Sequence, residues 1–234
     1  MPTLLLFDID GTLIMTGGAG FRAIQKAVDL TMGVERGLDG IPVAGRTDSI
    51  ILRDAVRALD GSDITIDLRD RIRDTYMGTL RDEIDKVQGG PGVLPGALAL
   101  LDLLAGDPAF HVALLTGNFS QTAAIKLGYF DLWRHFDWGA FGEDAVDRND
   151  LLPVALDRYR ARTGHDIAPA DVVVIGDTPN DVEVAKVGRT RSVGVSTGHF
   201  DRASLEEAGA DVVFDDFSDV AAVLRVLQGR VPGT

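Results

Sequence analysis

The sequence contains no cysteine, and this absence excludes several kinds of chemistry. Without a thiol there are no disulfide bonds, no thiolate metal ligands and no cysteine nucleophile. Long apolar segments are also missing, since no run approaches the roughly 20 residues that a helix needs to cross a bilayer. The N-terminus lacks the basic and then apolar stretches that are typical of a signal peptide. We therefore expect a cytoplasmic protein that does not insert into a membrane.

Positive charge is in the minority. The chain has 23 lysines and arginines against 36 aspartates and glutamates, which gives a net charge of −13. This charge makes nucleic acids and anionic membranes poor partners. An anionic substrate would need a cation, or a local cluster of positive side chains, to offset it. The length of 234 residues is enough for one large domain, or for a core domain that carries a smaller one.

Short apolar runs of strand length recur along the chain. They read LLLF at 4–7, VALL at 112–115, VVVI at 172–175, SVGV at 192–195 and DVVF at 211–214. Because these runs are continuous, they predict strands that are covered on both faces. Segments with helical spacing lie between them, at 95–105, 120–127, 151–163, 180–187, 204–208 and 217–227. This alternation predicts an α/β fold, a Rossmann-like parallel sheet with helices on both faces.

Residues 15–87 interrupt the alternation, because three helical segments follow one another there. We expect helices at 21–31, 49–59 and 68–86, with Thr47 and Asp67 as the N-caps of the second and third. We interpret residues 15–87 as a helical cap domain inserted after the first strand. The α/β core domain would then comprise residues 1–14 and 88–234. The segment GGPGVLPG at 89–96 is rich in glycine and proline and marks the exit from the cap.

Polar residues follow four of the predicted strands at the point where each strand ends. Asp8, Asp10, Gly11 and Thr12 follow the first, and Thr116, Gly117 and Asn118 follow the second. The third is followed by GDTPND at 176–181 and the fourth by STGH at 196–199. Ligands of open parallel sheets bind at the carboxyl ends of the strands, so we expect these residues to meet.

The residue types at these strand ends favour phosphoryl transfer. Carboxylates that lie close together recruit a cation or raise each other's pKa, and a site of few carboxylates with room for phosphate suits magnesium. A carboxylate nucleophile beside a second, protonatable carboxylate can transfer a phosphoryl group through an aspartyl phosphate. Hydroxyl and backbone N–H groups at 116–118 would hold the phosphate oxygens.

The motifs FDIDGTL at 7–13, LLTGN at 114–118 and VIGDTPND at 174–181 resemble, in this order and spacing, the haloacid dehalogenase (HAD) superfamily of phosphohydrolases. The chain looks most similar to the phosphoglycolate-phosphatase-type enzymes, and the resemblance covers nearly its whole length. It implies a HAD-like core with a helical cap, a Mg²⁺ cofactor and a small phosphorylated metabolite as substrate. A monomer and a homodimer are both compatible with it.

The resemblance also implies roles for individual residues. Asp8 matches the nucleophile and a magnesium ligand, whereas Asp10 matches the general acid and base, with its backbone carbonyl on the metal. Thr116 matches the phosphate-binding hydroxyl. Asp177 matches a direct magnesium ligand and Asp181 one that acts through water or from the second sphere. The remaining residues expected to bind phosphate are Gly11, Thr12, Gly117 and Asn118.

The sequence departs from the family pattern at one catalytic position. The family usually has a lysine there that pairs with the nucleophile and the phosphate, but residues 139–150 contain none. Arg148 is the best positional substitute, since arginine keeps the charge and grips phosphate through two N–H groups. The two lysines of the second half, Lys126 and Lys186, lie in or near helices that follow other motifs. In the cap, AGRTDS at 44–49 is similar to a glycine-containing cap loop of the relatives, from which Arg46 could reach a substrate carboxylate or phosphate.

One alternative interpretation is excluded at this point, and the others stay open. A calcium loop is excluded because its fifth, sixth and twelfth positions would be Thr12, Leu13 and Ala19. A sugar phosphomutase would use the same motifs, while a dehalogenase generally lacks the second acid. A phospho-acceptor signalling module needs only about half this length and no cap. A non-catalytic binding protein has no positive support. For Arg46, the other interpretation is an exposed arginine in a salt bridge.

Overall fold

The structure is a computed structural model that describes residues 2–86 and 92–229. Its strands, in chain order, are β1 (Thr3–Phe7), β2 (Ile14–Met15), β3 (Gly92–Val93), β4 (Phe110–Leu115), β5 (Gly139–Ala140), β6 (Val172–Gly176), β7 (Arg191–Val195) and β8 (Val212–Phe214). Its helices are α1 (Ala19–Met32), α2 (Asp48–Asp60), α3 (Ile66–Ile84), α4 (Ala97–Ala105), α5 (Ser120–Tyr129), α6 (Leu151–Thr163), α7 (Pro179–Gly188), α8 (Arg202–Ala208) and α9 (Val220–Leu227).

The main sheet has the strand order β5-β4-β1-β6-β7-β8, and all of its pairings are parallel. β1 lies between β4 and β6, with Leu5 in register with Val112 on one side and Val173 on the other. The carboxyl ends of β4, β1 and β6 are therefore neighbours along one edge. These pairings confirm the predicted α/β fold.

The continuous apolar runs are explained by helices on both faces of the sheet. Leu5 and Phe7 belong to the core cluster beneath α4, α5 and α9, whereas Leu4 and Leu6 belong to the cluster beneath α6 and α7. All four side chains have no exposed surface. A strand buried on both faces has no polar face to alternate with, as the sequence predicted.

The helical block between β2 and β3 has an apolar core of its own. Helices α1, α2 and α3 contribute residues such as Ile24, Leu52 and Tyr76 to it, and Phe119 enters it from the loop before α5. The chain leaves the main sheet through β2 and returns through β3, which pair antiparallel. The division into a cap of 15–87 and a core of 1–14 and 88–234 stays a prediction. The boundary at 87–88 and the start of the exit at 89–96 lie outside the described residues.

The predicted helices and strands differ from the structure mainly at their ends. Thr47 caps α2 as predicted, and its Oγ1 accepts a hydrogen bond from the Ile50 N–H at 3.2 Å. The assignment of Asp67 as the N-cap of α3 was wrong, because Thr65 occupies that position and its Oγ1 accepts from the Leu68 N–H. Asp67 lies in the first turn, where a carboxylate still stabilises the helix dipole. Strands β2, β3 and β5 were not predicted, since two residues show no pattern.

Within residues 2–86 and 92–229, no helix is both long and apolar enough to cross a membrane.

Candidate active site

The polar residues at the ends of β1, β4 and β6 meet at one cavity. It has a volume of about 230 Å³ and lies between this edge of the sheet and the helical block. Asp8, Asp10 and Asp177 line its floor, while the side that faces α1, α2 and α3 is mainly apolar. The turn after Asp10 depends on Gly11, which has a φ of 80°, and a Cβ there would lie 2.3 Å from Asp177 Oδ2. A side chain at position 11 would therefore displace Asp177.

Three carboxylates form a buried acidic cluster in the floor. Asp8, Asp177 and Asp181 each place an oxygen within 4.8 Å of the others, and all three are buried. Burial, together with the charges of Asp181 and Asp8, raises the pKa of Asp177 to about 8. Burial also raises the pKa of Asp181. A divalent cation among these oxygens would favour their charged forms, so this donor set fits a hard metal ion.

Arg148 is the positively charged residue that contacts the acidic cluster. It lies in a short 3₁₀ turn, Arg148–Asp150, directly before α6, and its Nη2 is 3.2 Å from Asp8 Oδ2. The same nitrogen donates a short hydrogen bond to Asp181 Oδ1. Burial alone would lower the pKa of Arg148, but the carboxylates of Asp181 and Asp8 outweigh it and raise that pKa above its ordinary value. The structure thus places Arg148 against the predicted nucleophile, while its catalytic role stays a prediction.

Asp181 differs from Asp177 in its partners. The Asp181 Oδ2 accepts hydrogen bonds from the Thr178 N–H and from Thr178 Oγ1 at 3.1 and 2.7 Å, and its Oδ1 is bonded to Arg148. Among the described residues, Asp177 accepts one side-chain hydrogen bond, from Thr12 Oγ1 at 3.3 Å. Because both oxygens of Asp181 already accept donors from the protein, Asp177 is the better placed of the two for direct contact with a metal.

The carboxylate of Asp10 does not join the acidic cluster. Its Oδ2 accepts hydrogen bonds from Lys126 Nζ at 2.6 Å and from Asn118 Nδ2 at 2.9 Å. The side chain is 41% exposed, compared with 7% for Asp8. The metal contact predicted for Asp10 would come from its backbone carbonyl, and it stays a prediction.

The side-chain amide of Asn118 links residues of the motif LLTGN at 114–118. Asn118 Nδ2 also donates to Thr116 Oγ1 at 2.8 Å, and the Thr116 side chain is fully buried. Gly117 and Asn118 line the cavity, and the Gly117 carbonyl accepts from the Asp48 N–H of the helical block at 2.7 Å. The predicted phosphate contacts of Thr116, Gly117 and Asn118 are not tested by these distances.

Arg46 lies on the loop before α2, at the margin of the cavity. Its Nη2 is 2.5 Å from Asp54 Oδ2, and its Nη1 donates to the Pro42 carbonyl at 2.9 Å. These bonds agree with a salt-bridged arginine. A contact with substrate stays a prediction.

The buried residues Lys126, Asp48 and Tyr76 line the cavity and were not assigned to the site from the sequence. A signal for Lys126 was present, since Ala123 and Leu127 place it on the apolar face of α5. Asp48 had the appearance of an ordinary acid in the first turn of α2. Burial raises its pKa to about 7, although Lys126 and the Phe119 N–H act in the opposite direction.

The chain resembles known proteins over nearly its whole length. A model of the haloacid dehalogenase-like hydrolase family matches residues 5–186. The chain is 28% identical to the probable phosphatase IndB of Dickeya dadantii, over 97% of this chain and 95% of that protein. It is 26% identical to phosphoglycolate phosphatase 1 of Pseudomonas aeruginosa, over 94% of this chain and 79% of that protein.

Two solved structures have a similar fold. A hydrolase from Pseudomonas syringae has a TM-score of 0.68 and 24% identity, and the match covers 96% of this chain and 99% of that one. A chain from Thermotoga maritima, assigned as a beta-phosphoglucomutase, has a TM-score of 0.60 and 22% identity, with 97% and 100% covered. Since the family model spans most of the sequence, and the three motifs meet at one cavity, the chain belongs to the haloacid dehalogenase-like hydrolase family.

Proposed function

We propose that the protein is a magnesium-dependent phosphomonoester hydrolase that acts on small soluble phosphorylated metabolites. The observation that carries the proposal is the arrangement of Asp8, Asp177 and Asp181 around Arg148, with Asp10 beside them on the same cavity. A phosphatase of this type needs a carboxylate nucleophile, a cation to hold the phosphate and a separate proton carrier. These three groups are present within one cavity.

The acidic cluster supports the metal. Its three carboxylates face one guanidinium, which leaves an excess of negative charge in a buried place. Asp8, Asp177 and the Asp10 backbone carbonyl would hold Mg²⁺, with Asp181 acting through water or through Arg148. The bound ion would offset the repulsion between Asp8 and the phosphate and the charge that develops during transfer.

In the first half-reaction an Asp8 oxygen attacks phosphorus, and the bond from phosphorus to the leaving oxygen breaks. Asp10 gives its proton to that oxygen, so that an alcohol departs and Asp8 carries the phosphoryl group. Arg148 holds the phosphoryl oxygens beside Asp8. Its buried Nε has no hydrogen-bond partner within the described residues and is free to donate to a ligand.

In the second half-reaction Asp10 acts as a base. It takes a proton from water while the water oxygen attacks phosphorus, and the bond from phosphorus to Asp8 breaks to release phosphate. Backbone N–H groups near Gly11 and Gly117 and the polar groups of Thr12, Thr116 and Asn118 would steady the phosphate oxygens. Asp10 ends the cycle protonated and ready for another ester.

To identify the substrate, phosphate release is measured from a panel of phosphorylated metabolites in the presence of magnesium. Phosphoglycolate is the first ester to test, because phosphoglycolate phosphatases are among the curated relatives. Sugar phosphates belong in the panel as well, since a phosphomutase would return an isomeric sugar phosphate instead of free phosphate. If no ester releases phosphate at any magnesium concentration, the proposed function is wrong.

A further inference from the structure

Lys126 is a buried cation for which the reaction described above has no use. The residue lies on α5, and 3% of its surface is exposed. Its neighbours on the same helix face, Ala123 and Leu127, are fully buried. An ammonium group in such a place is costly unless it is paired and hydrogen-bonded. The partners of Lys126 therefore indicate why a lysine is there.

The Lys126 ammonium closes a triangle with Asp10 and Asn118. Its Nζ is 2.6 Å from Asp10 Oδ2 and 2.6 Å from Asn118 Oδ1. Asn118 Nδ2 completes the triangle with its bond to the same Asp10 oxygen at 2.9 Å. Both donors thus reach Oδ2, and no hydrogen bond in the part of the chain described reaches Oδ1.

The triangle is enclosed by the helical block. At Gly20 of α1 a Cβ would lie 2.9 Å from Lys126 Nζ and 3.7 Å from the Tyr76 hydroxyl. The ammonium therefore has little room to move, and it faces Asp10 across a short, fixed distance. Because both Lys126 and Asp10 line the cavity, the pair lies where the leaving group of an ester would be.

We propose that Lys126 is a positioning residue that, together with Asn118, anchors Asp10 by Oδ2 and so makes Oδ1 the oxygen that exchanges the proton. This inference rests on the proposed function. An oxygen that accepts two N–H bonds has little lone-pair density left for a proton. A proton on Asp10 therefore sits on Oδ1, and the anchor holds that oxygen toward the ester. Proton transfer requires such alignment, and general acid catalysis contributes roughly 10²- to 10⁴-fold to a rate.

A competing explanation is that Lys126 binds an anionic group on the substrate itself. The two explanations differ in how the rate depends on the leaving group. If Lys126 positions Asp10, its loss harms esters whose leaving oxygen needs a proton. If Lys126 binds the substrate, its loss harms esters with a second negative charge.

The first experiment compares Lys126→Met with the wild type on four esters in the presence of magnesium. Phenyl phosphate and p-nitrophenyl phosphate are matched in shape, but nitrophenolate departs with much less need of a proton. Phosphoglycolate carries a carboxylate, and 2-hydroxyethyl phosphate is an alkyl ester of similar size without one. The value of kcat/KM reports the steps up to departure of the leaving group. We expect it to fall at least about tenfold more for phenyl phosphate than for p-nitrophenyl phosphate.

Two outcomes overturn the proposal. Equal losses on phenyl phosphate and p-nitrophenyl phosphate would mean that Lys126 only maintains structure. A loss much larger on phosphoglycolate than on 2-hydroxyethyl phosphate would mean that it binds a substrate anion. If the wild type hydrolyses none of the esters, it is the proposed function that fails. Circular dichroism and thermal melting check that the variant folds.

The second experiment restores the charge chemically and does not depend on Lys126→Met. Because the chain has no cysteine, Lys126→Cys introduces a single thiol. Alkylation of the unfolded variant with 2-bromoethylamine, followed by refolding, rebuilds an ammonium at lysine length, whereas iodoacetamide adds a neutral amide. We expect the aminoethyl product alone to recover activity on phenyl phosphate. Recovery with both reagents, or with neither, overturns the proposal, and the wild type carried through the same steps controls for refolding.

Discussion

The carboxylates of Asp8 and Asp10 follow the same strand two residues apart, yet each is paired with a different cation. Arg148 Nη2 is 3.2 Å from Asp8 Oδ2, and Lys126 Nζ is 2.6 Å from Asp10 Oδ2. Asp8 is buried in the acidic cluster, whereas the Asp10 side chain is partly exposed to the cavity. Side chains two residues apart in an extended segment point to the same side, and both acids line one cavity. The pair therefore has the geometry for two separate tasks.

The nucleophile assignment predicts that Asp8→Asn abolishes turnover. An amide of the same shape cannot attack phosphorus, so we expect phosphate release to fall by a factor of about 10⁴ or more. The fold should survive, since asparagine fits the same space and removes one charge from a crowded acidic cluster. Phosphate release is measured alongside a thermal melt. A folded variant with the activity of the wild type would contradict the assignment.

The acidic cluster predicts that magnesium stabilises the folded protein. An ion that binds only the folded state adds about 2.7 kcal/mol when its concentration is 100 times its Kd. We expect the melting temperature to rise when magnesium is added and to fall back after chelation. Activity should be lost on chelation and recovered when magnesium is restored. The matched control is Asp177→Asn, which removes one carboxylate from the cluster and should lose most of the rise. Full activity in excess chelator would refute the metal requirement.

Arg148 predicts a graded response to substitution. Arg148→Ala removes the charge beside Asp8 and leaves Asp181 without its partner, so we expect kcat/KM to fall by about 10²-fold or more. Arg148→Lys keeps the charge but loses the second donor, and it should cost clearly less. The rates are compared under saturating magnesium, with the melting temperature of each variant as the stability control. Equal and small effects of the two substitutions would show that Arg148 does not hold the phosphate.

The parts of the site that could be predicted from the sequence are those fixed by strand topology. Asp8, Asn118 and Asp177 follow strands that are neighbours in the sheet, so placing the strands is enough to bring the residues together. Arg148, directly before α6, was identified from the family resemblance and not from strand topology. The local sequence determines which residue follows a strand, and the parallel sheet brings the carboxyl ends of neighbouring strands together.

The parts that could not be predicted depend on packing between distant segments. Lys126 pairs with Asp10, which lies more than a hundred residues away in the sequence, and α1 packs against its ammonium at Gly20. Arg46 is directed to Asp54 by the path of the loop before α2, and no spacing in AGRTDS indicates that pairing. The N-cap of α3 was assigned to the wrong residue because Thr65 and Asp67 are both residue types that cap helices well, and they are only two positions apart.

Asp48 predicts how stability depends on pH in the metal-free protein. Its pKa is about 7 in the folded state against an ordinary value of 3.8, mainly because it is buried. The unfolded chain therefore releases this proton at lower pH than the folded chain does. The stability linked to Asp48 is fully present below about pH 4 and is lost as the pH rises toward and past 7.

The matched variant for this prediction is Asp48→Asn, which keeps an oxygen to accept the bond from the Phe119 N–H. We expect the free energy of unfolding of the wild type to fall between about pH 4 and pH 7, and that of the variant to fall less steeply. At pH 8 the variant should be the more stable of the two, because it has no buried carboxylate to ionise. One unit of pKa difference corresponds to about 1.4 kcal/mol, so the gain should be on the order of a few kcal/mol. Urea unfolding in a chelating buffer measures both proteins across this range, and parallel pH curves for the two would contradict a raised pKa at Asp48.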